Sequence, residues 1–276
     1  MASTGSGRRA GWIGGVSVVV LALCAIAAYL GFRAGEADAR YHLVGEMIET
    51  DDRMPAVIDY TLGRETTYAL YGQDIWLLRH VYPGVTDGFF VDLGSADGEA
   101  DSNTKMLETH GWSGICIDPF PSNMEHRTCR MFKEVVDSEA GRTVQFQQPG
   151  SFSGGILNYA GWWVGRDDRE KTVELTTTTL ADILKRAKAP SFIHYMSLDI
   201  EGAEYEALRS FPFDTYRFGA LSVEHNDVQD RRAAIRRLLE SHGYRLERAI
   251  LDQDWYVFDE ASATSQHQAA VEGDSR

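Results

Sequence analysis

Short apolar strands alternate with helical segments along most of the chain, and this alternation limits the possible fold more than any other feature. The strands are nearly continuous in apolar residues, as in "GFFVDLG", "GICID", "FIHYMSLDI" and "FGALSVEH". Such strands are typical of parallel sheets that helices cover on both faces. The last two strands, "YRLERAIL" and "DWYVFD", have no helix between them and predict an antiparallel edge hairpin. We therefore expect a doubly wound, mostly parallel α/β fold with its ligand site beyond the carboxyl ends of the strands.

Other segments complete the alternation. In "SNTKMLETHG" we expect a helix with Ser102 as its N-cap and Gly111 as its stop. Gly243 ends a later amphipathic helix. Further helices are predicted in "PSNMEHRTCRM", "TTTLADILKRA", "AEYEALRSF" and "VQDRRAAIRRLLESHG", and further strands in "FKEVVD" and "TVQFQQ".

Residues 10–32 carry no charge, which predicts a membrane anchor. These 23 residues are long enough, because about 20 helical residues span the hydrocarbon core. A cleaved signal peptide is the alternative, although its apolar core is usually about 7–15 residues. The predicted organisation is an N-terminal tail (1–9), a transmembrane helix (10–32), a stem (33–60), one folded domain (61–260) and a C-terminal tail without large apolar residues (261–276).

The basic residues on the two sides of the anchor are nearly balanced. Arg8 and Arg9 precede it, and Arg33 and Arg40 follow it. The free amino group favours a cytosolic N-terminus, which would place the folded domain across the membrane. The sequence predicts a single-pass membrane protein and leaves the side of the domain open.

The cysteine count bears on the redox compartment of the protein, and the net charge bears on its possible partners. Cys24, Cys116 and Cys129 are odd in number and irregularly spaced, which predicts no disulfide framework and no zinc site. The absence of a disulfide pattern favours a reducing compartment. The formal net charge of −14 disfavours a nucleic-acid partner, because binding to phosphates requires Lys and Arg.

The loop after the first strand carries the main cofactor signal. In "GFFVDLGSADG" the strand ends at Asp92, and small residues follow at Gly94, Ala96 and Gly98. Dinucleotide-binding loops need a further Gly where this chain has Glu99, so a diphosphate fits poorly.

The second strand ends at Asp118, whose carboxylate suits the two hydroxyls of a ribose. Together with the loop it indicates a nucleoside ligand with a positive centre, which describes S-adenosylmethionine.

Two long segments resemble the FkbM-type methyltransferases: "GFFVDLGSADGEADSNTKMLETHGWSGICIDPFPSNM" and "YMSLDIEGAEYEALRSFPFDTYRFGALSVEHN". "YGQDIW" and "DWYVF" also fit that family, so the resemblance covers about residues 66–259. It implies a Rossmann-like class I methyltransferase that uses S-adenosylmethionine, most often on oxygen.

The resemblance also implies roles for single residues. Asp118 would hold the ribose, and Asp137 would lie near the adenine. "SFSGG" (151–155) would form a loop near the pocket. Ser95-Ala96 stands where Ala-Asn is commoner, and both positions stay small. The residues expected to shape the methionine end, or to follow it as small polar positions, are Asp92, Gly94, Ser95, Ala96, Gly98, Ser102 and Thr104.

Acids and one histidine follow the later strands and are expected to surround the methyl acceptor. These candidate catalytic residues are Asp199, Glu201, Glu224 and His225, with Glu204 nearby. His225 is the natural general base, because its unperturbed pKa lies near neutrality. Alternatively, Asp199, Glu201 and Glu224 could bind a divalent cation, as an acidic trio does in catechol-type O-methyltransferases. Glu204 also fits a plain helix N-terminus.

The acceptor and the rival functions stay open at this stage. The aromatic stretch "NYAGWWVGR" (158–166) suits a sugar or lipid-linked glycan, and equally a flap over the core. We expect a membrane-anchored methyltransferase that acts on a hydroxyl of a small-molecule, glycan or lipid-linked acceptor. The alternative is a catalytically silent nucleoside-binding or scaffold module of the same fold.

Overall fold

The computed structural model describes residues 67–148, 154–160 and 171–260. All of them belong to one unit, which begins at Thr67. The predicted anchor (10–32), stem (33–60) and terminal tails lie outside these residues. Within the described ranges, none of the helices has the length and apolar character needed to cross a bilayer.

Eleven strands occur in the described part of the chain. They are β1 (Phe89–Leu93), β2 (Ser113–Ile117), β3 (Arg130–Phe132), β4 (Val135–Val136), β5 (Thr143–Gln148), β6 (Gly155–Ile156), β7 (Lys171–Thr178), β8 (Phe192–Leu198), β9 (Arg217–Glu224), β10 (Tyr244–Ile250) and β11 (Gln253–Phe258).

The main sheet has the strand order β10-β11-β9-β8-β1-β2-β3. Strands β3, β2, β1, β8 and β9 are parallel, which confirms the predicted mostly parallel sheet. The last two strands pair as an antiparallel hairpin, as predicted, but β11 inserts between β9 and β10. Of the two hairpin strands, only β10 therefore lies at an edge of the sheet.

A second sheet has the strand order β4-β7-β5-β6. Strand β7 was not predicted, because its threonines were assigned to the start of the following helix. That helix instead begins at Leu180, after Thr179, whose Oγ1 accepts the N–H of Asp182 at 3.1 Å. Val144, Phe146 and Ile156 of this sheet form a small core of their own.

The described helices are mostly short. They are α1 (Gln73–Trp76), a π-helical turn (Leu77–Val81), α2 (Lys105–Thr109), a 3-10 turn (Met124–His126), α3 (Leu180–Ala187), α4 (Glu204–Arg209) and α5 (Gln229–Ser241). The predicted helix in "PSNMEHRTCRM" is wrong, because only the 3-10 turn forms there. Glu108 of α2 accepts the backbone N–H groups of Thr128 and Cys129, and these bonds hold the segment extended.

The prediction of no disulfide is also wrong, because Cys116 and Cys129 are bonded to each other. The two residues are 13 positions apart in the sequence, and their Cα atoms lie 5.7 Å apart. Strand β3 pairs in parallel with β2, which brings Met131 opposite Cys116 and Cys129 close by. The argument for a reducing compartment therefore loses its basis.

Candidate active site

A cleft opens at the carboxyl ends of β1, β2 and β8, where the predicted fold places a ligand. The second sheet forms its opposite wall. Its lining includes Asp92, Gly94, Ser95, Ala96, Ser102, Asn103, Asp118, Glu134, Val135, Val136, Phe146, Gly154, Ile156, Asp199 and Glu201. Predicted cofactor and acceptor residues thus meet in one place.

Gly94 allows the loop after β1 to cross closely over the end of β8. Its φ is +92°, and an added Cβ would overlap the carbonyl oxygen of Asp199 and lie 2.7 Å from its carbon. The backbone of Asp199 also donates to the carbonyl of Leu93 at 2.9 Å. Only a residue without a side chain fits this crossing.

Asp118 fixes the same loop from the end of β2. Its carboxylate accepts the N–H of Ala96 at 3.0 Å and that of Phe120 at 2.7 Å. Burial raises the pKa of this carboxyl, and these two backbone bonds partly offset the rise. Each oxygen keeps a second lone pair, so Asp118 can still accept hydroxyl groups from a ligand.

Gly98, a predicted cofactor residue, does not line the cleft. Its N–H donates to Ser122 at 2.9 Å, and an added Cβ would lie 2.9 Å from the carbonyl carbon of Asn123. Asp97 closes the turn that contains Gly98 by accepting the N–H groups of Glu99 and Ala100 at 2.9 Å each. Gly98 therefore serves the packing of this loop against residues 122–124.

Asp92 is buried and is bonded within the protein. Thr104 Oγ1 donates to its Oδ2 at 2.6 Å, and the guanidinium of Arg127 lies 3.8 Å away. Burial raises the pKa of Asp92, while Arg127 and Thr104 oppose the rise. Sequence reasoning did not find Arg127, because nothing in the stretch around it indicates a contact with β1.

Two polar atoms in the wall of the cleft lack a hydrogen-bond partner among the described residues. They are Ser95 Oγ and Asn103 Oδ1, and both residues are more than nine-tenths buried. The amide nitrogen Nδ2 of Asn103 donates to Ser197 Oγ at 2.9 Å, and this bond fixes the orientation of the amide group. Ser102, beside it, accepts the N–H of Lys105 at 3.2 Å. The N-cap of α2 is Thr104, so the prediction of Ser102 at that position is wrong.

Asp137, predicted near the adenine, lies outside the lining of the cleft. Its carboxylate accepts from Arg142 at 2.9 Å and from the N–H of Ser138 at 2.6 Å. The preceding residues Val135 and Val136 line the cleft instead, together with Phe146.

The loops predicted beside the pocket are only partly described. Gly154 of "SFSGG" and Ile156 line the cleft, while residues 151–153 and 161–166 lie outside the described ranges.

Three of the predicted acceptor-site acids come together at the ends of β8 and β9. Carboxylate oxygens of Asp199, Glu201 and Glu224 lie within 4.8 Å of one another. Desolvation and the charge of Glu201 raise the pKa of Asp199 well above its usual value. Desolvation and the charge of Asp199 do the same to Glu224. The two groups share a hydrogen bond, and Glu224 Oε2 is buried without a partner among the described residues.

His225 is not part of this group. Its Nδ1 accepts the N–H of Asp227 at 3.2 Å, and its Nε2 lies 3.8 Å from Asp254 Oδ1. Burial lowers its pKa, which keeps the ring neutral. The imidazole is turned away from the cleft, which does not support its predicted use as a base.

Glu204 has the structural role that its position suggested. Its Oε1 accepts the N–H groups of Ile200 and Gly202 at 3.0 and 2.9 Å, and these bonds close the turn before α4.

Tyr71 is a neighbour of the acids that sequence reasoning missed. It hydrogen-bonds Asp252, and the charges of Asp252, Glu224 and Asp199 add to the burial that raises its pKa. The one sequence signal for Tyr71 was the segment "YGQDIW", which fitted the family pattern but indicated no role for this residue. The segment therefore brings a phenol close to the acid group.

The chain matches the model of the methyltransferase FkbM domain over residues 92–246, which is more than half of its length. No curated protein matches the chain, and no solved structure does either. The matched region runs from the end of β1 into β10 and so contains the strand ends that form the cleft. The match confirms the resemblance seen in the sequence, and the chain belongs to the FkbM methyltransferase family.

Proposed function

We propose that the cleft binds S-adenosylmethionine and that the protein transfers its methyl group to a hydroxyl of a small-molecule, glycan or lipid-linked acceptor. The observation that carries this proposal is the pair of unpartnered atoms, Ser95 Oγ and Asn103 Oδ1, in the cleft that Asp118 also lines. Buried polar atoms are costly without a partner, and a polar ligand would supply one.

The residues of the cleft fit the parts of this cofactor. Asp118 offers acceptor lone pairs for the ribose hydroxyls, and Val135 and Phe146 offer apolar surface for the adenine. The loop at Gly94 brings backbone groups to the end of β1, where the methionine part is expected. When bound, the cofactor supplies an already activated methyl group. The chain has to orient the acceptor and exclude water.

A divalent cation at Asp199, Glu201 and Glu224 is the second part of the proposal. Hard cations take oxygen ligands, and these three carboxylates converge within 4.8 Å. Glu224 Oε2 supports the site independently, because it is buried without a partner and the residue is only 8% exposed. Such a cation would acidify the acceptor hydroxyl and would replace the base predicted at His225.

Calorimetry with the full chain in detergent tests the cofactor. The unchanged protein is expected to bind S-adenosylmethionine saturably, and Asp118→Ala is expected to lose this binding. Asp214→Ala, at an exposed acid outside the cleft, is the control and should bind as the parent does. A folded parent that does not bind would overturn the proposal.

Transfer is then measured with radiolabelled cofactor on glycan and lipid-linked acceptors that carry free hydroxyls. A labelled ether product, identified by mass spectrometry, is expected. Cofactor binding without transfer to any of these acceptors would favour the catalytically silent module.

The cation is tested on protein stripped with a chelator. Added Mg²⁺ or Mn²⁺ should restore transfer in the parent and in Glu247→Gln, an exposed control on β10. Glu224→Gln should still bind the cofactor but should not respond to the cation. Transfer that is fully active in the stripped parent would exclude the site.

The proposal also includes membrane anchoring through residues 10–32. The full chain is expected to stay with membranes after alkaline carbonate extraction, and a chain without residues 1–44 is expected to be released. Release of both would remove the anchor from the proposal.

A further inference from the structure

Arg127 is a buried cation that contacts the supports of the cofactor loop. Its side chain is 1% exposed, although the surrounding segment lies near the surface. Its Nε donates to Glu108 at 3.0 Å, and its Nη1 donates to the carbonyl of Gly98 and to Ser102 Oγ, each at 3.2 Å. Gly98 and Ser102 lie in the loop between β1 and α2, and Glu108 lies on α2. These bonds therefore connect Arg127 both to the loop and to the helix that follows it.

Arg127 also reaches the carboxylate at the end of β1. Its Nη2 donates to Thr104 Oγ1 at 2.6 Å, and Thr104 in turn donates to Asp92 Oδ2 at 2.6 Å. The guanidinium thus compensates the buried charge of Asp92 and fixes the hydroxyl that lies between them. A buried charge that loses such a partner is strongly destabilised.

The disulfide holds the segment that carries Arg127. Cys129 lies two residues after Arg127, and its partner Cys116 lies on β2, two residues before Asp118. Arg127 Nη2 lies 3.4 Å from Cys116 Sγ. The bond therefore joins the segment of Arg127 to the strand that carries Asp118.

We propose that Arg127 is a positioning residue for the cofactor loop and that the Cys116–Cys129 disulfide controls it, so that cofactor affinity depends on the redox state of this bond. The inference rests on the proposed function of the cleft. With the bond closed, Arg127 stays against Asp92 and Gly98. With the bond open, the segment 124–129 is held by noncovalent contacts alone, and the loop is less ordered for its ligand.

A dithiol reductant is the class of reagent that opens the bond. Its thiolate attacks the Sγ of Cys129, a half-buried residue, and forms a mixed disulfide, while Cys116 leaves as a thiolate beside the Arg127 guanidinium. The second thiol of the reductant then displaces Cys129. The reductant becomes a cyclic disulfide, and two electrons and two protons pass to the two cysteines.

The first test compares redox states of the full chain in detergent, with Cys24→Ser so that one cysteine pair remains. The Kd of S-adenosylmethionine is measured by calorimetry on the oxidised protein, after dithiothreitol, and after reoxidation. Reduction should raise Kd about tenfold, and reoxidation should restore it. If the oxidised protein does not bind, the proposed function fails. If it binds equally well in both states, this inference fails.

The second test leaves the disulfide intact. Arg127→Lys keeps the charge but loses the forked donor geometry, and it should raise Kd about fivefold while circular dichroism shows that the variant is still folded, although its urea midpoint falls. Arg127→Gln should raise Kd further, so that affinity follows the order Arg, Lys, Gln. Arg130→Lys on the exposed side of β3 is the matched control and should bind as the parent does. An unchanged Kd in Arg127→Lys would refute the positioning role.

Discussion

Gly94→Ala should destabilise the protein more than an ordinary glycine substitution. A φ of +92° strains any L-residue, at a cost of about 1–2 kcal/mol. The new methyl group would also overlap the Asp199 carbonyl, and overpacking of this kind typically costs about 1–3 kcal/mol. The free energy of unfolding should therefore fall by about 2–5 kcal/mol, which is a large part of the stability of a typical domain.

Gly141→Ala separates the two contributions. Gly141 has a similar φ of +81°, but an added Cβ there would have no atom within 4 Å. It should lose only the strain, about 1–2 kcal/mol. With a urea m-value of about 2 kcal/mol/M, the midpoint should drop by about 1–2.5 M for Gly94→Ala and by about 0.5–1 M for Gly141→Ala. Equal losses in the two variants would refute the close crossing of Gly94 over β8.

Three further predictions concern the cofactor, the core and pH. Asp118→Asn should raise the Kd of S-adenosylmethionine about tenfold in calorimetry, because an amide nitrogen replaces one acceptor oxygen; an unchanged Kd would contradict the ribose role. Tyr244→Phe removes the acceptor of the buried Phe218 N–H, 3.0 Å away, and should lower the free energy of unfolding by about 1–3 kcal/mol in urea. Burial lowers the pKa of His194, so the unfolded chain binds its proton first as pH falls through about 6.5. The free energy of unfolding should therefore decrease as the pH falls towards the pKa of His194 in the folded protein. In His194→Asn, the urea midpoint should differ less between pH 7.5 and pH 5.5 than it does in the parent.

The strands of the main sheet could be predicted because their apolar sequences indicate that they are buried. Near-continuous apolar runs such as Phe192–Leu198 leave few alternatives to a buried parallel strand. Strand β7 lacks this signal, because its pattern alternates and it ends in threonines that also suit a helix start. The disulfide depends on the pairing of β2 with β3, which is a tertiary event and leaves no mark in the cysteine spacing.

The site could be predicted only where a strand end fixes the side chain. Asp118 and Asp199 follow buried strands directly, and both line the cleft. His225 follows Glu224 by one residue, and neighbouring residues at a strand end point to opposite faces. The same strand thus sends Glu224 towards Asp199 and His225 towards Asp254. Proximity in sequence could not separate these two side chains.

The acids at this sheet edge differ in how their charge is compensated. Asp92 lies near Arg127 and is bonded to Thr104, while Asp118 accepts two backbone N–H groups. Asp199 and Glu224 instead face each other without a basic partner of this kind in the described part of the chain. Desolvation and the charge of Glu201 raise the pKa of Asp199, and desolvation and the charge of Asp199 raise the pKa of Glu224. Such a pair costs free energy in the folded state, and the fold alone does not offset this cost. A cation or an acceptor hydroxyl bound at this point would offset it, and this is the physical reason for proposing that Asp199 and Glu224 take part in methyl transfer.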